Sequence, residues 1–254
     1  MQTYDEPPLR TLGLIGGMSW HSTMSYYRTI NEVVAAERGG HASARIALQS
    51  LDFAEIRACQ TSGDWDRAGQ LLVEAARCCV AGGAEAVAIC TNLMHKVAPE
   101  VEAAVEVPVL HIADTVAEEA DRNGWKRLGV LGTSWVMEES FYADRLARSA
   151  MKVVVPPAAV RTDLDMIIFE ELTRGVVRDA SREVYLDAIR GLADDGADAV
   201  VLACTEIGLL VSPGQSPLPL VDSAEVHARA LADFALSRAL PQAAAASDES
   251  RSYS

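Results

Sequence analysis

The sequence is poor in positive charge. Its 22 lysines and arginines are outnumbered by 36 aspartates and glutamates, so the formal net charge at pH 7 is −14. A polyanion such as nucleic acid is repelled by a chain of this charge, and no basic stripe reverses that repulsion locally. The composition therefore argues against a nucleic-acid partner and favours a small-molecule substrate.

Cysteine is scarce, and long apolar runs are missing. Five irregularly spaced cysteines are too few for a disulfide framework in a chain of 254 residues. No apolar run approaches the roughly 18 residues that a membrane-spanning helix requires. The polar, proline-bearing residues 1–10 do not have the form of a secretory signal. We expect a reduced, cytoplasmic protein that does not enter a membrane.

Two of the cysteines occur in matching contexts. The run Ala86-Val-Ala-Ile-Cys90-Thr-Asn has strand length and ends on a thiol followed by small polar residues, and Ala199-Val-Val-Leu-Ala-Cys204-Thr-Glu repeats this pattern 114 positions later. Three more segment pairs recur in the same order at spacings of 111 to 116, namely Leu12–Gly17 with Leu128–Thr133, Gly83–Val87 with Gly196–Val200, and Val107–Ala113 with Leu218–Ala224. These matches indicate two copies of one α/β unit.

Alternating strand and helix patterns with short loops are typical of parallel sheets covered by helices. We predict an α/β fold with two pseudo-symmetric domains, each a parallel sheet flanked by helices, and an active site between them. Residues 1–114 with 222–240 form the first domain and residues 115–221 the second. Residues 241–254 form a disordered tail, because they lack periodicity and large apolar side chains.

The patterns also predict individual elements. Strands are expected over residues 44–50, 107–112, 153–155 and 200–203, and helices over 64–81, 114–123, 134–150, 163–174, 179–194 and 224–240. Ser19 or Ser22 is expected to cap the first helix, and the last helix to pack back against the first unit. Cys59, Cys78 and Cys79 are interpreted as small packing residues.

Ligands bind at the carboxyl ends of the strands in open parallel sheets. This edge receives Met18 and Ser19 after the first strand, Ser50 and Asp52 after the second, and Thr133 after the matching strand of the second unit. We assign these residues to a substrate site. The glycines of the first turn do not complete a G-x-G-x-x-G pattern, so a dinucleotide is not indicated.

The repeat gives the two thiols a joint role. If a pseudo-twofold axis relates the units, Cys90 and Cys204 flank one cleft. A thiol between a strand and a helix lies near partial positive charge and unpaired N–H groups, which are expected to lower its pKa. One thiolate and one thiol on opposite sides of a tetrahedral carbon can remove a proton from one face and deliver one to the other. That is the chemistry of racemisation or epimerisation.

Proton removal from an amino-acid α-carbon requires stabilisation of the negative charge that develops. The sequence has no obvious pyridoxal-phosphate lysine motif, so we predict no cofactor and assign this role to hydrogen-bond donors. The candidates are backbone N–H groups after both cysteines and the side chains of Ser19, Thr91, Asn92, Thr133 and Thr205, with Glu206 beside them. No metal is predicted, because His95, Lys96 and His111 form no standard ligand cluster with Cys90.

Several motifs resemble the aspartate/glutamate racemase family, in particular its broad-specificity amino-acid racemase branch. They are Gly13-Leu-Ile-Gly-Gly-Met-Ser-Trp20, Ser22-Thr23, Tyr26-Tyr27-Arg28, Cys90-Thr-Asn, Met94-His-Lys96, Ile167-Ile-Phe-Glu-Glu-Leu172 and Cys204-Thr-Glu-Ile-Gly208. The resemblance spans about residues 11–238. It implies a two-thiol mechanism without a cofactor, two pseudo-symmetric α/β domains and a homodimer.

The chain departs from the family pattern at two positions. Leu93 occupies a position where the family commonly has threonine, and Asp163 one where it tends to have a lysine that helps to hold an acidic side chain. If both residues contact the substrate, acidic amino acids become poor substrates and neutral or basic ones are favoured. Alternatively, Asp163 caps a helix that begins at Leu164.

Other functions remain open from sequence. A relative could use a single cysteine for covalent attack, as maleate-type isomerases do, or for decarboxylation. From a different class, the protein could be a ligand-binding or thiol-redox module without turnover. The leading hypothesis is a racemase in which both Cys90 and Cys204 act.

Overall fold

The computed structural model describes residues 8–236. The first sheet contains β1 (Thr11–Gly16), β2 (Arg45–Ser50) and β3 (Ala86–Ile89) in the order β2-β1-β3, and all pairs are parallel. The second contains β4 (Arg127–Gly132), β5 (Lys152–Val154), β6 (Ala199–Ala203) and β7 (Leu220–Asp222) in the order β5-β4-β6-β7, again parallel. The first strand of each unit lies between the next two, so the two units share one topology, and the predicted fold class is confirmed.

Helices cover both sheets. They are α1 (Trp20–Arg38), α2 (Phe53–Ser62), α3 (Trp65–Ala81), α4 (Ala98–Ala104), α5 (Ile112–Arg122), α6 (Ser134–Glu138), α7 (Ser140–Ala147), α8 (Ala158–Glu170), α9 (Asp179–Asp194) and α10 (Ser223–Ala235). Short 3₁₀ turns span Leu93–Val97, Leu172–Arg174, Ile207–Leu209 and Pro213–Gln215. No helix in the described part of the chain is long and apolar enough to cross a membrane.

The central strands read as continuous apolar runs because they are covered on both faces. Every residue of β1, β3 and β6 is buried. On α3, Leu72 and Cys79 are fully buried, and Cys59 on α2 is also buried, as the packing interpretation requires. Cys78 is exposed, so that interpretation is wrong for this residue; its position on α3 points away from the sheet.

The C-terminal helix returns to the first unit, as predicted. Leu231 and Phe234 of α10 belong to the same buried cluster as Leu12 and Tyr26. The backbone N–H of Arg10 also donates to Ala235 O at 2.9 Å. The predicted end of this helix at residue 240 and the tail 241–254 lie outside the described residues.

Three element predictions differ from the structure, and one helix is present that the patterns do not predict. The expected strand at 107–112 is reduced to one parallel bridge, Val87 with Val109, since Pro108 has no N–H to donate and α5 begins at Ile112. The expected helix 134–150 is interrupted at Glu139, whose backbone is extended. The helix predicted at 163 begins five residues earlier, and α2 was not predicted.

Candidate active site

A small cavity of about 50 Å³ lies where the carboxyl ends of the two sheets meet. Both Cys-Thr turns contribute to it, one from each unit. The predicted site residues that line the cavity are Met18, Ser19, Thr91, Asn92, Leu93, Thr133, Cys204, Thr205 and Glu206. The repeat therefore brings matching strand ends to one cavity.

The turn from β1 to α1 forms one wall. Gly17 has a φ of +88°, and a Cβ there would lie 2.1 Å from Leu51 O, so only glycine fits. Ser19 then caps α1 by accepting a hydrogen bond from the backbone N–H of Ser22. The tight turn and the cap together fix Met18 and Ser19 at the cavity.

Glu206 connects the second Cys-Thr turn to the first unit. Its Oε2 accepts hydrogen bonds from the Cys204 thiol at 3.2 Å and from Thr205 Oγ1 at 2.6 Å. Its Oε1 accepts from Ser19 Oγ at 3.0 Å across the cleft. One carboxylate thus holds a thiol and two hydroxyls, and it is the nearest proton acceptor to Cys204.

Cys90 lies deeper than Cys204. It directly follows β3, is 1% exposed and donates its backbone N–H to Ile15 O at 2.9 Å. Its side chain packs in the cluster that contains Leu14 and Tyr26. Cys90 itself does not line the cavity, whereas the three residues that follow it do.

The predicted lowering of the thiol pKa values is wrong. Burial raises the pKa of Cys90 well above the ordinary thiol value. Burial also raises the pKa of Cys204, and the neighbouring Glu206 carboxylate adds to the shift. The residues after Cys90 form only a short 3₁₀ turn, so they present no extended helix dipole that would offset the loss of water.

Three predicted substrate residues do not line the cavity. Ser50 ends β2 and is exposed, and Asp52 caps α2 by accepting from Ala54 N at 2.9 Å. Asp163 is exposed in the interior of α8. The interpretation of Asp163 as an N-cap is also wrong, because Pro157 precedes the first residue of that helix.

The cavity has further walls that the sequence analysis missed. They are formed by Ser22, Phe53, Gln60, Val136, Ile168, Phe169, Thr173 and Ala203. Asp165, rather than Asp163, is the carboxylate of α8 near the site: its Oδ1 accepts from Ser134 N at 2.7 Å, and its charge contributes to the raised pKa of Cys204. Asp165 and Ile168 are three residues apart and so lie on the same face of the helix, and this spacing is the sequence signal that could have identified Asp165.

Two polar atoms at the cavity are unsatisfied. Among residues 8–236, neither Asn92 Oδ1 nor Thr133 Oγ1 has a hydrogen-bond partner, although Asn92 is 2% and Thr133 7% exposed. Buried polar atoms of this kind are usually paired, and a polar ligand in the cavity would pair them. Within the same range, no group of three or more His, Cys, Asp or Glu side chains is arranged to hold a metal ion.

Comparison with known proteins gives consistent matches. Residues 15–231 match the family model described as Asp/Glu/hydantoin racemase. A crystal structure assigned as an Asp/Glu racemase from Yersinia pestis is 44% identical, with a TM-score of 0.86, and the match covers 90% of this chain and 100% of that one. An aspartate racemase homologue from Pyrococcus horikoshii is 31% identical, with a TM-score of 0.77 and coverage of 89% and 99%.

A more distant match supports the fold alone. The aspartate racemase of Picrophilus torridus is 20% identical, with a TM-score of 0.69, over 91% of this chain and 96% of that one. The residues that match the family model include both Cys-Thr turns and the strands β2 to β7. The chain belongs to the Asp/Glu/hydantoin racemase family.

Proposed function

We propose that the protein is an amino-acid racemase that works without a cofactor, with Cys90 and Cys204 as acid and base on opposite faces of the α-carbon. The observation that carries the proposal is the convergence of both Cys-Thr turns, one from each sheet, on one cavity. Family membership supports an isomerase of this class. The substrate and the roles of the two thiols are our inference.

The proposed reaction is balanced in protons. The thiolate of one cysteine takes the α-proton and becomes a thiol, while the other thiol gives its proton to the opposite face and becomes a thiolate. Each turnover therefore exchanges the roles of Cys90 and Cys204. Hydrogen bonds to the substrate carboxylate from Thr133 Oγ1 and from backbone N–H groups of the turn after Cys90 would stabilise the developing negative charge.

The raised thiol pKa values imply that the substrate takes part in activation. The α-ammonium group of an amino acid would bring a positive charge into a cavity whose nearest charge is the Glu206 carboxylate. A nearby positive charge favours the thiolate. Glu206 Oε2, which already accepts the Cys204 hydrogen bond, would receive the thiol proton. The thiolate would then form mainly in the enzyme-substrate complex.

Substrate binding also requires the cleft to open. A cavity of about 50 Å³ holds no more than a few water molecules. Cys90 is buried behind its own turn. We propose that the two units move apart to admit the amino acid and close around it, which excludes water from the reacting atoms.

The lining favours an amino acid with a neutral side chain. Of the lining residues within 8–236, Glu206 is the only charged one, and the negative charge that it shares with Cys204 by proton transfer would repel a second substrate carboxylate. Most of the remaining wall is apolar, including Phe53, Leu93, Val136 and Ile168. Asp163 does not line the cavity, so the expectation that acidic amino acids are poor substrates depends on these lining residues.

Solvent-deuterium exchange at Cα tests the function. The protein is incubated in D₂O with single enantiomers of neutral, acidic and basic amino acids, and NMR and chiral chromatography follow exchange and inversion. A racemase exchanges the α-proton and inverts the centre, whereas Cys90→Ser and Cys204→Ser each abolish inversion. If no amino acid inverts, or if one serine variant keeps full activity, the two-thiol proposal is wrong and a single-cysteine isomerase or decarboxylase is favoured.

The proposed assembly is a homodimer. Trp20, Met24 and Tyr27 on α1 and Leu48 on the edge strand β2 are large apolar side chains with exposures of 58%, 57%, 54% and 41%. An apolar groove of about 520 Å³ lies among the last three of them. Exposed apolar clusters of this kind are typical of protein interfaces. Such an interface would lie next to Ser19 and the cavity.

A further inference from the structure

A single buried hydroxyl connects the two Cys-Thr turns. Ser223 is the first residue of α10 and is 0% exposed. Its Oγ lies 2.7 Å from Leu202 O, on the strand that leads to Cys204, and 3.0 Å from Nδ2 of Asn92, two residues after Cys90. Ser223 itself does not line the cavity.

The single proton of the Ser223 hydroxyl determines which of its partners is a hydrogen-bond donor and which is an acceptor. A carbonyl oxygen can only accept, so the one proton of Ser223 Oγ is donated to Leu202 O. Ser223 Oγ is then left only as an acceptor toward Asn92. The Asn92 group that faces it must therefore be the amide NH₂, and Asn92 Oδ1 must be on the other side.

The backbone that carries Asn92 is held in a similar way. The N–H of Ile112 donates to Nε2 of His95 at 3.2 Å, so the proton of this neutral ring is on Nδ1. His95 Nδ1 donates to Thr91 O at 2.8 Å. Burial lowers the pKa of His95, which keeps the ring neutral and this arrangement in place. The turn is thus fixed beneath Asn92.

The orientation of the Asn92 amide determines which hydrogen-bonding atom Asn92 presents to the cavity. Asn92 lines the cavity, and its Oδ1 has no partner among residues 8–236. With one N–H of its amide donated to Ser223, Asn92 is left with Oδ1 as its unpaired polar atom, and this atom is an acceptor. A buried acceptor is satisfied by a donor, such as an ammonium group, and disfavours a carboxylate.

We propose that Ser223 is a positioning residue that fixes the orientation of the Asn92 amide, so that the cavity selects acids with a 2-amino group over amine-free acids. The inference rests on the proposed function, because it assigns Asn92 Oδ1 to the substrate ammonium. It also separates an amino-acid racemase from relatives whose substrates lack an amine. Ser223 acts through Asn92 and does not touch the substrate.

The orientation can be measured without turnover. The sequence contains three asparagines, Asn31, Asn92 and Asn123, so selective ¹⁵N-asparagine labelling gives three side-chain amide signals. Asn92→Leu assigns one of them by its loss. In the wild type, the Asn92 NH₂ protons should exchange slowly with water. In Ser223→Ala they should exchange faster and shift, while those of Asn31 and Asn123 stay unchanged as internal controls.

The selectivity is measured by binding. Calorimetry compares alanine with propanoate, which has the same carbon skeleton and carboxylate without the amine. The wild type should prefer alanine, and Ser223→Ala should reduce the ratio of the two affinities about tenfold, the value of one charge-assisted hydrogen bond. Ser223→Cys, which keeps one proton and a weak acceptor at this position, should retain part of the preference. Thermal unfolding verifies that each variant is folded.

A double-mutant cycle distinguishes positioning from general destabilisation. If Ser223 acts through Asn92, the variant with both Ser223→Ala and Asn92→Leu should show the same alanine-to-propanoate ratio as Asn92→Leu alone. An unchanged Asn92 signal in Ser223→Ala, fully additive effects, or no preference for alanine in the wild type would overturn the inference. Absence of Cα exchange in D₂O with the preference intact would instead overturn the racemase proposal alone.

Discussion

The guanidinium of Arg57, on α2 of the first unit, lies 4.1 Å from the centroid of the Phe169 ring, on α8 of the second. Its Nη1 donates to Gln60 Oε1 at 2.9 Å, and both Gln60 and Phe169 line the cavity. Burial lowers the pKa of Arg57, while the charge of Asp165 acts in the opposite direction. The cation thus bridges the cleft directly beside the cavity wall.

This contact predicts that Arg57 helps to hold the cleft closed. Arg57→Ala should raise KM several-fold, since a partly buried cation–π contact contributes about 1–2 kcal/mol. Steady-state kinetics measures the effect. Arg67→Ala is the matched control, because Arg67 pairs with Glu55 on the surface and both side chains are more than 40% exposed. Equal KM values for the two variants would contradict the closing role.

The substrate class can be tested at two positions in parallel. Leu93 lines the cavity, so Leu93→Thr should add a donor and raise kcat/KM for aspartate relative to alanine by up to about tenfold. Asp163→Lys should leave this ratio unchanged, because Asp163 is exposed and away from the lining. A large rise with Asp163→Lys alone would mean that α8 turns toward the substrate when the cleft closes.

Asp52 and Phe169 show which parts of the site sequence patterns can and cannot predict. The repeated strand ends are sufficient to predict the two parallel sheets and about half of the cavity lining, because strand polarity places matching turns at one edge. A carboxylate after a strand suits a helix cap as well as a ligand, so Asp52 was assigned to the site and α2 was overlooked. Phe169 could not be placed, because its contribution depends on the angle between the two units.

Acid should destabilise the fold through three buried histidines. Burial lowers the pKa of His227 to about 4, that of His111 to about 2, and that of His95 also. An unfolded histidine titrates near 6.5, so the unfolded state binds more protons below that pH. Stability should therefore be fully present above pH 6.5 and fall as the pH decreases toward 4, by up to about 1.4 kcal/mol per pH unit for each histidine.

His227→Gln isolates one of these contributions. The amide can accept from Tyr26 OH and donate to Leu110 O, the two bonds that the imidazole makes at 2.8 Å each, but it does not titrate in this range. Urea unfolding at pH 7 and pH 5 should show a smaller loss of stability for this variant than for the wild type. Identical losses would mean that His227 gains its proton without unfolding.

The proposed dimer is tested by a charge on its interface. Tyr27→Glu should convert the dimer to a monomer, since it would bury an unpaired carboxylate among Met24 and Leu48. Light scattering after size-exclusion chromatography gives the mass. Val177→Glu, at an apolar position with 43% exposure elsewhere on the surface, is the control and should leave the mass unchanged. A monomeric wild type would refute the dimer proposal.

Glu206 should affect catalysis and thiol reactivity in opposite directions. The carboxylate raises the pKa of Cys204 by its charge and by accepting the thiol hydrogen bond at 3.2 Å. Glu206→Gln removes the charge and the proton acceptor. Racemisation should then fall by about 10²–10⁴, the usual contribution of a positioned acid or base. The pKa of Cys204 should fall at the same time, so at pH 8 a larger fraction of this thiol is ionised.

Peptide mass spectrometry after timed iodoacetamide treatment measures that fraction in both proteins. Alkylation of Cys204 should be faster in Glu206→Gln than in the wild type, while the exposed Cys78 in the same digest reacts at an equal rate. Slower racemisation together with slower alkylation would indicate that the variant has merely closed or distorted the cavity. Slower racemisation with faster alkylation means that Glu206 serves as a proton acceptor and does more than orient Ser19 and Thr205.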